Sequence, residues 1–203
     1  MTKSFVAGPR GAADDLASQS LSEMPQMAPA RKKPASGADP GKVPPVIVRV
    51  AGAADLDAID AIERRAFTQD RFPRRNLVRL LKSPSALVLL ARTGGRAAGY
   101  AALLFRKGAA VTRLYSIAVD PEERGKGVAD ALLAAAGRRA AERGAGRLRL
   151  EVRPSNRAAQ RLYERAGFAV IDRKAGYYGD GEDAIRMERR LSPARPGGRG
   201  AHP

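Results

Sequence analysis

The chain of 203 residues contains no cysteine and no tryptophan, and its single histidine is His202. These absences exclude a cysteine nucleophile, a Ser-His-Asp triad and the usual zinc ligand sets. Any catalysis must therefore use carboxylate, tyrosine, lysine, arginine or main-chain groups. Long apolar runs are also missing, because stretches such as Ala97–Phe105 fall far below the roughly 18 residues that span a bilayer. We expect no membrane partner and a cytosolic location.

Acidic residues are scarce, with 21 Asp and Glu against 37 Lys and Arg, for a formal net charge of +16. Such an excess attracts anionic partners, either the phosphates of a cofactor or RNA. The basic residues are spread through every segment with little aromatic interleaving, which is typical of an arginine-rich solvated surface. We expect the charge to aid capture of an anionic cofactor, and we do not expect nucleic acid as a substrate.

Composition divides the chain into one domain and two extensions. Residues 1–44 are rich in Ala, Pro, Ser and Gly without a sustained apolar period, and 192–203 form a similar basic tail, so both are predicted to be disordered. Neither end resembles a targeting segment. Residues 45–191 are of a length expected for a single domain with one core.

Apolar periodicity predicts strands and helices in the order β-α-α-β-β-β-α-β-α-β-β across this domain. The strands are predicted at Val46–Val50, Ala86–Arg92, Arg96–Phe105, Ala110–Val119, Leu148–Val152, Phe168–Arg173 and Ala184–Arg189. The helices are predicted at Asp55–Phe67, Arg74–Leu81, Val128–Arg143 and Arg157–Ala166, the last closed by Gly167 as a C-terminal cap.

A glycine-rich turn is the most informative feature of the sequence. A predicted strand stops at Asp120-Pro121, the turn Arg124-Gly125-Lys126-Gly127 follows, and a helix then begins. Glycines at the start of a helix let a ligand approach main-chain N–H groups that the helix leaves unpaired. Those donors, the helix dipole and the two basic side chains suit an anion, especially a pyrophosphate.

Two common phosphate-binding templates do not fit this turn. A dinucleotide fold requires G-x-G-x-x-G/A, but Asp130 stands at the third glycine, and no P-loop string G-x-x-x-x-G-K-S/T occurs. The pattern Q/R-x-x-G-x-G/A does fit, through Arg124, Gly127 and Ala129. The alternative is an ordinary strand–turn–helix link whose glycines only permit the turn.

Three blocks resemble the GCN5-related N-acetyltransferase (GNAT) superfamily, whose acetyl-CoA signature is Q/R-x-x-G-x-G/A. The first is the stretch Tyr115–Ala129. The second is L-E-V-R-P-S-N-R-A-A-Q-R-L-Y-E-R-A-G-F at 150–168, and the third is Y-Y-G-D-G-E-D-A-I-R-M-E at Tyr177–Glu188. Their order and spacing are similar to those of bacterial ribosomal-protein-alanine N-acetyltransferases. The resemblance covers about Val46 to Leu191.

The resemblance implies an α/β (α+β) GNAT fold, in which helices flank a mixed, mostly antiparallel central sheet. It also implies acetyl-CoA as co-substrate, no metal, and direct transfer of the acetyl group to a primary amine. Such a transfer needs a neutral amine held in line with the acetyl carbon. It also needs a group that accepts the amine proton and a group that protonates the leaving thiolate.

The resemblance assigns the two proton-transfer roles to Glu151 and Tyr163. Glu151 occupies the strand position of the family's proton acceptor, whereas strand alternation alone favours a solvated glutamate paired with Arg149 or Arg153. Tyr163 matches the family's proton donor, but it also lies on an apolar helical stripe and is equally well placed for the core. The two interpretations of Tyr163 are compatible, since a buried tyrosine hydroxyl needs a partner.

The other site predictions concern binding. Asn156 begins the fourth helix, where it suits an N-cap, and the resemblance implies that it binds the pantetheine arm. Tyr177 and Tyr178 are expected to hold the first residues of a peptide acceptor, with hairpin packing as the alternative. The remaining predicted cofactor contacts are Ile117, Ala118 and Val119, through their main chain, and Arg124, Gly125, Lys126, Gly127, Val128 and Ala129.

The acceptor is expected to be the N-terminal α-amine of a protein or peptide, with a ribosomal protein among the candidates. Freeing a lysine at neutral pH costs roughly 3 kcal/mol more than freeing an α-amine. Thr68–Leu77 lacks the P-W-S-like segment with which alanine acetyltransferases of this type grip their substrate, so a small-molecule amine or a lysine stays open. A non-catalytic module that binds CoA or nucleic acid is the third alternative. A monomer or homodimer is expected.

Overall fold

The computed structural model describes residues 44–67 and 71–192. The predicted extensions, 1–44 and 192–203, lie outside the described residues except at Pro44 and Ser192. Within the described ranges, no helix is long and apolar enough to cross a membrane. The cytosolic location expected from the sequence stays a prediction.

The described residues form strands and α-helices in the predicted order. The strands are β1 (Val46–Val50), β2 (Ala86–Thr93), β3 (Arg96–Leu104), β4 (Val111–Val119), β5 (Arg147–Val152), β6 (Ala169–Lys174) and β7 (Ala184–Arg190). The helices are α1 (Leu56–Ala66), α2 (Arg74–Lys82), α3 (Val128–Glu142) and α4 (Arg157–Arg165). α1 begins one residue later than predicted because Asp55 ends a 3-10 turn, where its side chain binds Arg49 at 2.6 Å.

The strands form a seven-stranded sheet in the order β1-β2-β3-β4-β5-β7-β6. Only the β4–β5 pair is parallel within this sheet, and all other neighbours are antiparallel. The parallel pair arises because α3 carries the chain back across the sheet between the two strands, as a crossover connection requires. The mixed, mostly antiparallel sheet expected from the resemblance is confirmed.

Helices cover both faces of the sheet, so its central strands are buried on both sides. Side chains alternate between the faces of a strand. In β2, Leu87 and Leu89 join the core beneath α3 and α4, whereas Val88 and Leu90 join the core beneath α1 and α2. The near-continuous apolar sequence of β2 follows from this double burial.

β4 and β5 are paired only near their first residues within the described sheet. The pairs are Val111–Arg147, Thr112–Leu148 and Arg113–Arg149. Beyond them β4 continues to Val119 and β5 to Val152 without further pairing to each other. A register shift on the β3 side of β4 leaves Tyr115 between two pairs, as in a β-bulge. The sheet therefore opens between the ends of β4 and β5, next to the start of α3.

Candidate active site

The turn before α3 presents main-chain donors at the open end of the sheet. The first α3 hydrogen bond runs from the N–H of Ala131 to the carbonyl of Gly127 at 3.0 Å, so the preceding N–H groups have no acceptor in the helix. Gly125 and Gly127 have φ angles of 77° and 76°, a left-handed conformation that other residues rarely adopt. A Cβ at either position would meet no atom of the described residues within 4 Å. The glycines therefore provide the backbone conformation, and no described residue covers them.

A cavity of about 390 Å³ adjoins this turn and extends to α4. Its lining combines predicted cofactor contacts with α4 side chains that the sequence analysis did not single out. The lining residues are Val119, Glu123, Arg124, Gly125, Gly127, Val128, Ala129, Asp130, Ala158, Leu162 and Arg165. Main-chain donors, two arginines and an apolar α4 wall suit a phosphate group that continues into an organic arm.

Four predicted cofactor contacts lie outside the lining of this cavity. The side chains of Ile117 and Ala118 are buried in the two cores, on opposite faces of the sheet. Lys126 forms an ion pair with buried Glu123, with Nζ and Oε2 3.1 Å apart. Asn156 caps α4, because its side-chain oxygen accepts a hydrogen bond from the N–H of Ala159 at 3.1 Å. The cofactor roles of all four stay predictions.

Arg124 is the cation of the turn that is best placed for an anion. Its side chain is exposed and makes no hydrogen bond or ion pair with any described residue. Lys126, in contrast, is already paired with Glu123. Asp130 adds a negative charge to the first turn of α3. Arg165 on α4 faces the same cavity and offsets that charge.

Glu151 lies on β5 just beyond the last residues that pair with β4. Its side chain is 5% exposed, and two guanidinium groups hold the carboxylate. Oε2 accepts a hydrogen bond from Nε of Arg113 at 2.9 Å, and Oε1 accepts one from Nε of Arg186 at 3.2 Å. Since each carboxylate oxygen has about two acceptor positions, each oxygen can accept a further bond from an amine.

The alternative of a solvated Glu151 paired with Arg149 or Arg153 is wrong. Arg149 binds Glu188, with a shortest distance of 2.6 Å, and Arg153 binds the β6–β7 segment through Asp180 at 2.8 Å. Strand alternation predicts a solvated face at Glu151, but the sheet is covered on both faces, so both faces of β5 are buried near this point. The proton-acceptor role of Glu151 stays a prediction.

Tyr163 on α4 is fully buried, and its ring packs edge-on against Phe168 with the centroids 5.8 Å apart. Its hydroxyl has no hydrogen-bond partner among the described residues. Burial, and then the nearby phenol of Tyr178, raise the pKa of Tyr163, so this hydroxyl keeps its proton at physiological pH. The ring is therefore part of the core, while the hydroxyl is an unused donor that a ligand atom could satisfy.

Tyr177 and Tyr178 lie in the segment between β6 and β7, with their rings edge to face and the centroids 5.2 Å apart. The hydroxyl of Tyr177 accepts a hydrogen bond from Arg113, which also binds Glu151. The guanidinium of Arg153 lies 3.9 Å from the ring centroid of Tyr178. The hydroxyl of Tyr178 is buried without a partner in the described part of the chain. The two tyrosine rings pack against each other, and their contact with a peptide acceptor stays a prediction.

An aromatic surface beside Glu151 was not predicted from the sequence. Phe72, just before α2, stacks on Tyr115 of β4 with the centroids 5.2 Å apart and the ring planes 19° apart. The guanidinium of Arg113 lies 5.5 Å from the centroid of Tyr115. We call Phe72, Tyr115 and Arg113 the acceptor wall. The available signal was Phe72 itself, which falls within the Thr68–Leu77 segment already considered for substrate contact.

The glycine-rich helix start suits the diphosphate of a co-substrate, and the buried carboxylate and tyrosine suit the proton transfers of an N-acetyltransferase. The profile of the acetyltransferase (GNAT) family matches residues 56–168. The chain belongs to this family, which uses acetyl-CoA. Among 44–67 and 71–192, no group of three or more His, Cys, Asp or Glu side chains could hold a metal ion.

Named relatives support the same assignment. N-alpha-acetyltransferase RimI of Mycobacterium tuberculosis is 34% identical over 151 residues, which cover 71% of this chain and 92% of that protein. An N-alpha-acetyltransferase of Sulfurisphaera tokodaii is 34% identical over 155 residues, with coverages of 69% and 90%. The crystal structure of the ribosomal-protein-S18-alanine N-acetyltransferase from Escherichia coli is 31% identical with a TM-score of 0.64, covering 75% of this chain and 97% of that one. The resemblance noted in the sequence is confirmed.

Proposed function

We propose that this protein transfers the acetyl group of acetyl-CoA to the N-terminal α-amine of a protein or peptide. The observation that carries the proposal is the Tyr163 hydroxyl, which is buried and protonated and has no partner among the described residues. It belongs to the same helix, α4, that lines the cavity of the glycine-rich turn. A proton donor thus lies on the helix that borders the proposed cofactor site.

The turn residues would hold the diphosphate of the co-substrate. No described residue covers Gly125 and Gly127 at the start of α3, and Arg124 supplies a positive charge that pairs with no carboxylate in the described ranges. The main chain of Ile117–Val119 has no β5 partner in the described sheet, so it is available to the amides of the pantetheine arm. These features suit a long anionic co-substrate.

Glu151 would receive the acceptor amine. An N–H of the amine can occupy an acceptor position on the carboxylate that Arg113 and Arg186 leave open. The amine nitrogen then attacks the thioester carbonyl carbon, so that a C–N bond forms and the C–S bond breaks. The amine gives its proton to the Glu151 carboxylate, and Tyr163 donates its hydroxyl proton to the departing sulfur. The acetyl group moves directly, with no acyl-enzyme.

An α-amine suits this single carboxylate better than a lysine amine. The α-amino group has a pKa of about 8, whereas that of lysine is about 10.4, so less free energy is needed to reach the reactive neutral form. Two relatives are named N-alpha-acetyltransferases, and the E. coli enzyme is named for alanine of ribosomal protein S18. By these names, the three proteins act on an α-amine. We therefore propose a protein N-terminus, including that of a ribosomal protein, as the acceptor class.

A peptide panel with matched amines tests the proposal. One peptide begins with a free alanine, a second has the same sequence with its α-amine blocked and one internal lysine, and a small polyamine is the third acceptor. Mass spectrometry should find acetyl transfer to the first peptide only, and Glu151→Gln should reduce it strongly. Glu142→Gln on the exposed end of α3 is the matched control, with unchanged rate. Transfer only to the lysine or the polyamine would refute the α-amine proposal. Cofactor binding without any transfer would favour a binding module.

A further inference from the structure

We infer that Glu63 is a positioning residue that fixes the acceptor wall through its negative charge. The inference rests on the proposed function, because that function gives the wall its role in holding the acceptor. Glu63 lies on α1 and is fully buried. Its carboxylate makes no ion pair with any described residue, unlike Glu151. A buried carboxylate without a cationic partner is rare, since burial disfavours its charge.

Hydrogen bonds join Glu63 to the acceptor wall. Oε1 accepts a bond from the main-chain N–H of Phe72 at 2.8 Å. Oε2 accepts one from the Tyr100 hydroxyl at 2.5 Å, and the Tyr100 oxygen lies 3.1 Å from the Ser116 hydroxyl. The carboxylate therefore ties the segment before α2 to β3 and β4.

The acceptor wall links the position of Phe72 to the position of Glu151. Phe72 stacks on Tyr115, and Tyr115 lies beneath the guanidinium of Arg113. Arg113 in turn donates hydrogen bonds to Glu151 and to Tyr177. A shift of Phe72 would therefore alter the surface on which the acceptor rests, while the glycine-rich turn, which takes no part in these contacts, should keep its place.

The charge of Glu63 should change within the physiological range. Burial raises its pKa to about 7, against the opposing effects of the Phe72 N–H, the Tyr100 hydroxyl on β3 and Arg71. Asp60 on the same helix raises the pKa further, and Ser116 on β4 acts through its contact with Tyr100. Hydrogen bonds to a charged acceptor are roughly twice as strong as those to a neutral one. The wall is therefore held more firmly above pH 7 than below it.

Glu63→Gln gives a neutral side chain of the same shape at every pH. The test compares the KM for the acceptor between this variant and the wild type at pH 6 and pH 8. The ratio of the two KM values cancels the titration of the acceptor's own amine. We expect the acceptor KM of the variant divided by that of the wild type to be near one at pH 6 and roughly three to ten at pH 8. The KM for acetyl-CoA should be unchanged. Glu142→Gln should give a ratio of one at both pH values. A ratio for Glu63→Gln that is the same at pH 6 and pH 8, or an equal rise in the KM for acetyl-CoA, would overturn the inference.

A second measurement is independent of the acceptor. Amide hydrogen exchange at Phe72, followed by NMR at pH 8, should be roughly three- to tenfold faster in Glu63→Gln than in the wild type. Equal exchange rates would overturn the inference whatever the enzyme acetylates. If the wild type acetylates no peptide α-amine but Phe72 exchanges faster in the variant, the proposed function fails, while the finding that Glu63 holds Phe72 in place stands.

Discussion

Replacement of Tyr163 by phenylalanine should stabilise the protein while slowing its turnover. The Tyr163 hydroxyl is fully buried and unpaired within the described chain. A buried polar group without a hydrogen bond costs about 1–3 kcal/mol. Tyr163→Phe removes this group and keeps the ring that packs against Phe168. We therefore expect the free energy of unfolding to rise by about 1 kcal/mol or more, which corresponds to roughly 2–4 °C in Tm per kcal/mol for a protein of this size.

Turnover should fall in the same variant, because the thiolate would leave without a proton donor. Loss of a general acid typically lowers the rate by about 10²- to 10⁴-fold. The high pKa of Tyr163 keeps the wild-type donor protonated across the usual assay range. We expect kcat to fall by about 10²-fold, with the KM for acetyl-CoA little changed. Thermal melting without ligands and steady-state release of CoA measure the two effects on one preparation.

Tyr100→Phe is the matched control for this experiment. Tyr100 is also fully buried, but its hydroxyl bonds Glu63 at 2.5 Å and lies 3.1 Å from Ser116. Removing it breaks a bond to a charged group, so this variant should lose about 1.5–3 kcal/mol of stability. The same chemical change should thus have opposite signs at the two tyrosines. A loss of stability in Tyr163→Phe, or unchanged turnover, would refute the reasoning and return Tyr163 to a purely structural role.

Three further predictions concern the cofactor turn and Glu63. Gly127→Ala should weaken acetyl-CoA binding about tenfold, because φ of 76° costs an alanine roughly 1–2 kcal/mol and the turn would relieve this strain by moving the amides that face the diphosphate. Gly144→Ala, with φ of 82° beyond the far end of α3, should be equally strained but bind normally by calorimetry. Acetyl-CoA should raise the Tm of the wild type and of Arg138→Glu but not of Arg124→Glu, and a retained shift would argue against the site. Glu63→Gln should be about 3 kcal/mol more stable than the wild type at pH 8, and the difference should vanish toward pH 4.5. The difference has this sign because the raised pKa of Glu63 stabilises the wild-type fold below pH 4.5, and the wild type loses this contribution as the pH rises through 7. Urea unfolding at both pH values measures the difference in stability.

The element order could be predicted because local patterns determine it. Apolar alternation marks the strands, Pro121 follows the end of β4, and Gly167 follows the end of α4. The glycine-rich turn was predictable for the same reason, since its chemistry lies within a few consecutive residues. The predicted capping role of Gly167 is confirmed by its φ of 83°.

The partners of the buried carboxylates could not be predicted, because they are distant in sequence. Glu151 meets Arg113 and Arg186 at separations of 38 and 35 residues, and Tyr100 meets Glu63 at a separation of 37. Sequence alternation places a glutamate between Leu150 and Val152 on a solvated face. Burial of both faces of the sheet overrides that pattern, and only the sheet order brings the arginines of β4 and β7 to either side of β5.

The two buried polar groups beside the proposed reaction path are both unfavourable for folding, and this supports a functional reason for each. A valine or leucine at position 63, or a phenylalanine at 163, would satisfy the core without burying a charge or an unpaired hydroxyl. Tyr163 and Glu63 also lie in or against different cores, on opposite faces of the sheet, so one packing defect does not account for both. Tyr163 belongs to the helix that borders the cofactor cavity, whereas Glu63 binds the segment that carries Phe72 of the acceptor wall. Burial of polar groups at such a cost is the pattern expected where they are kept for binding and proton transfer.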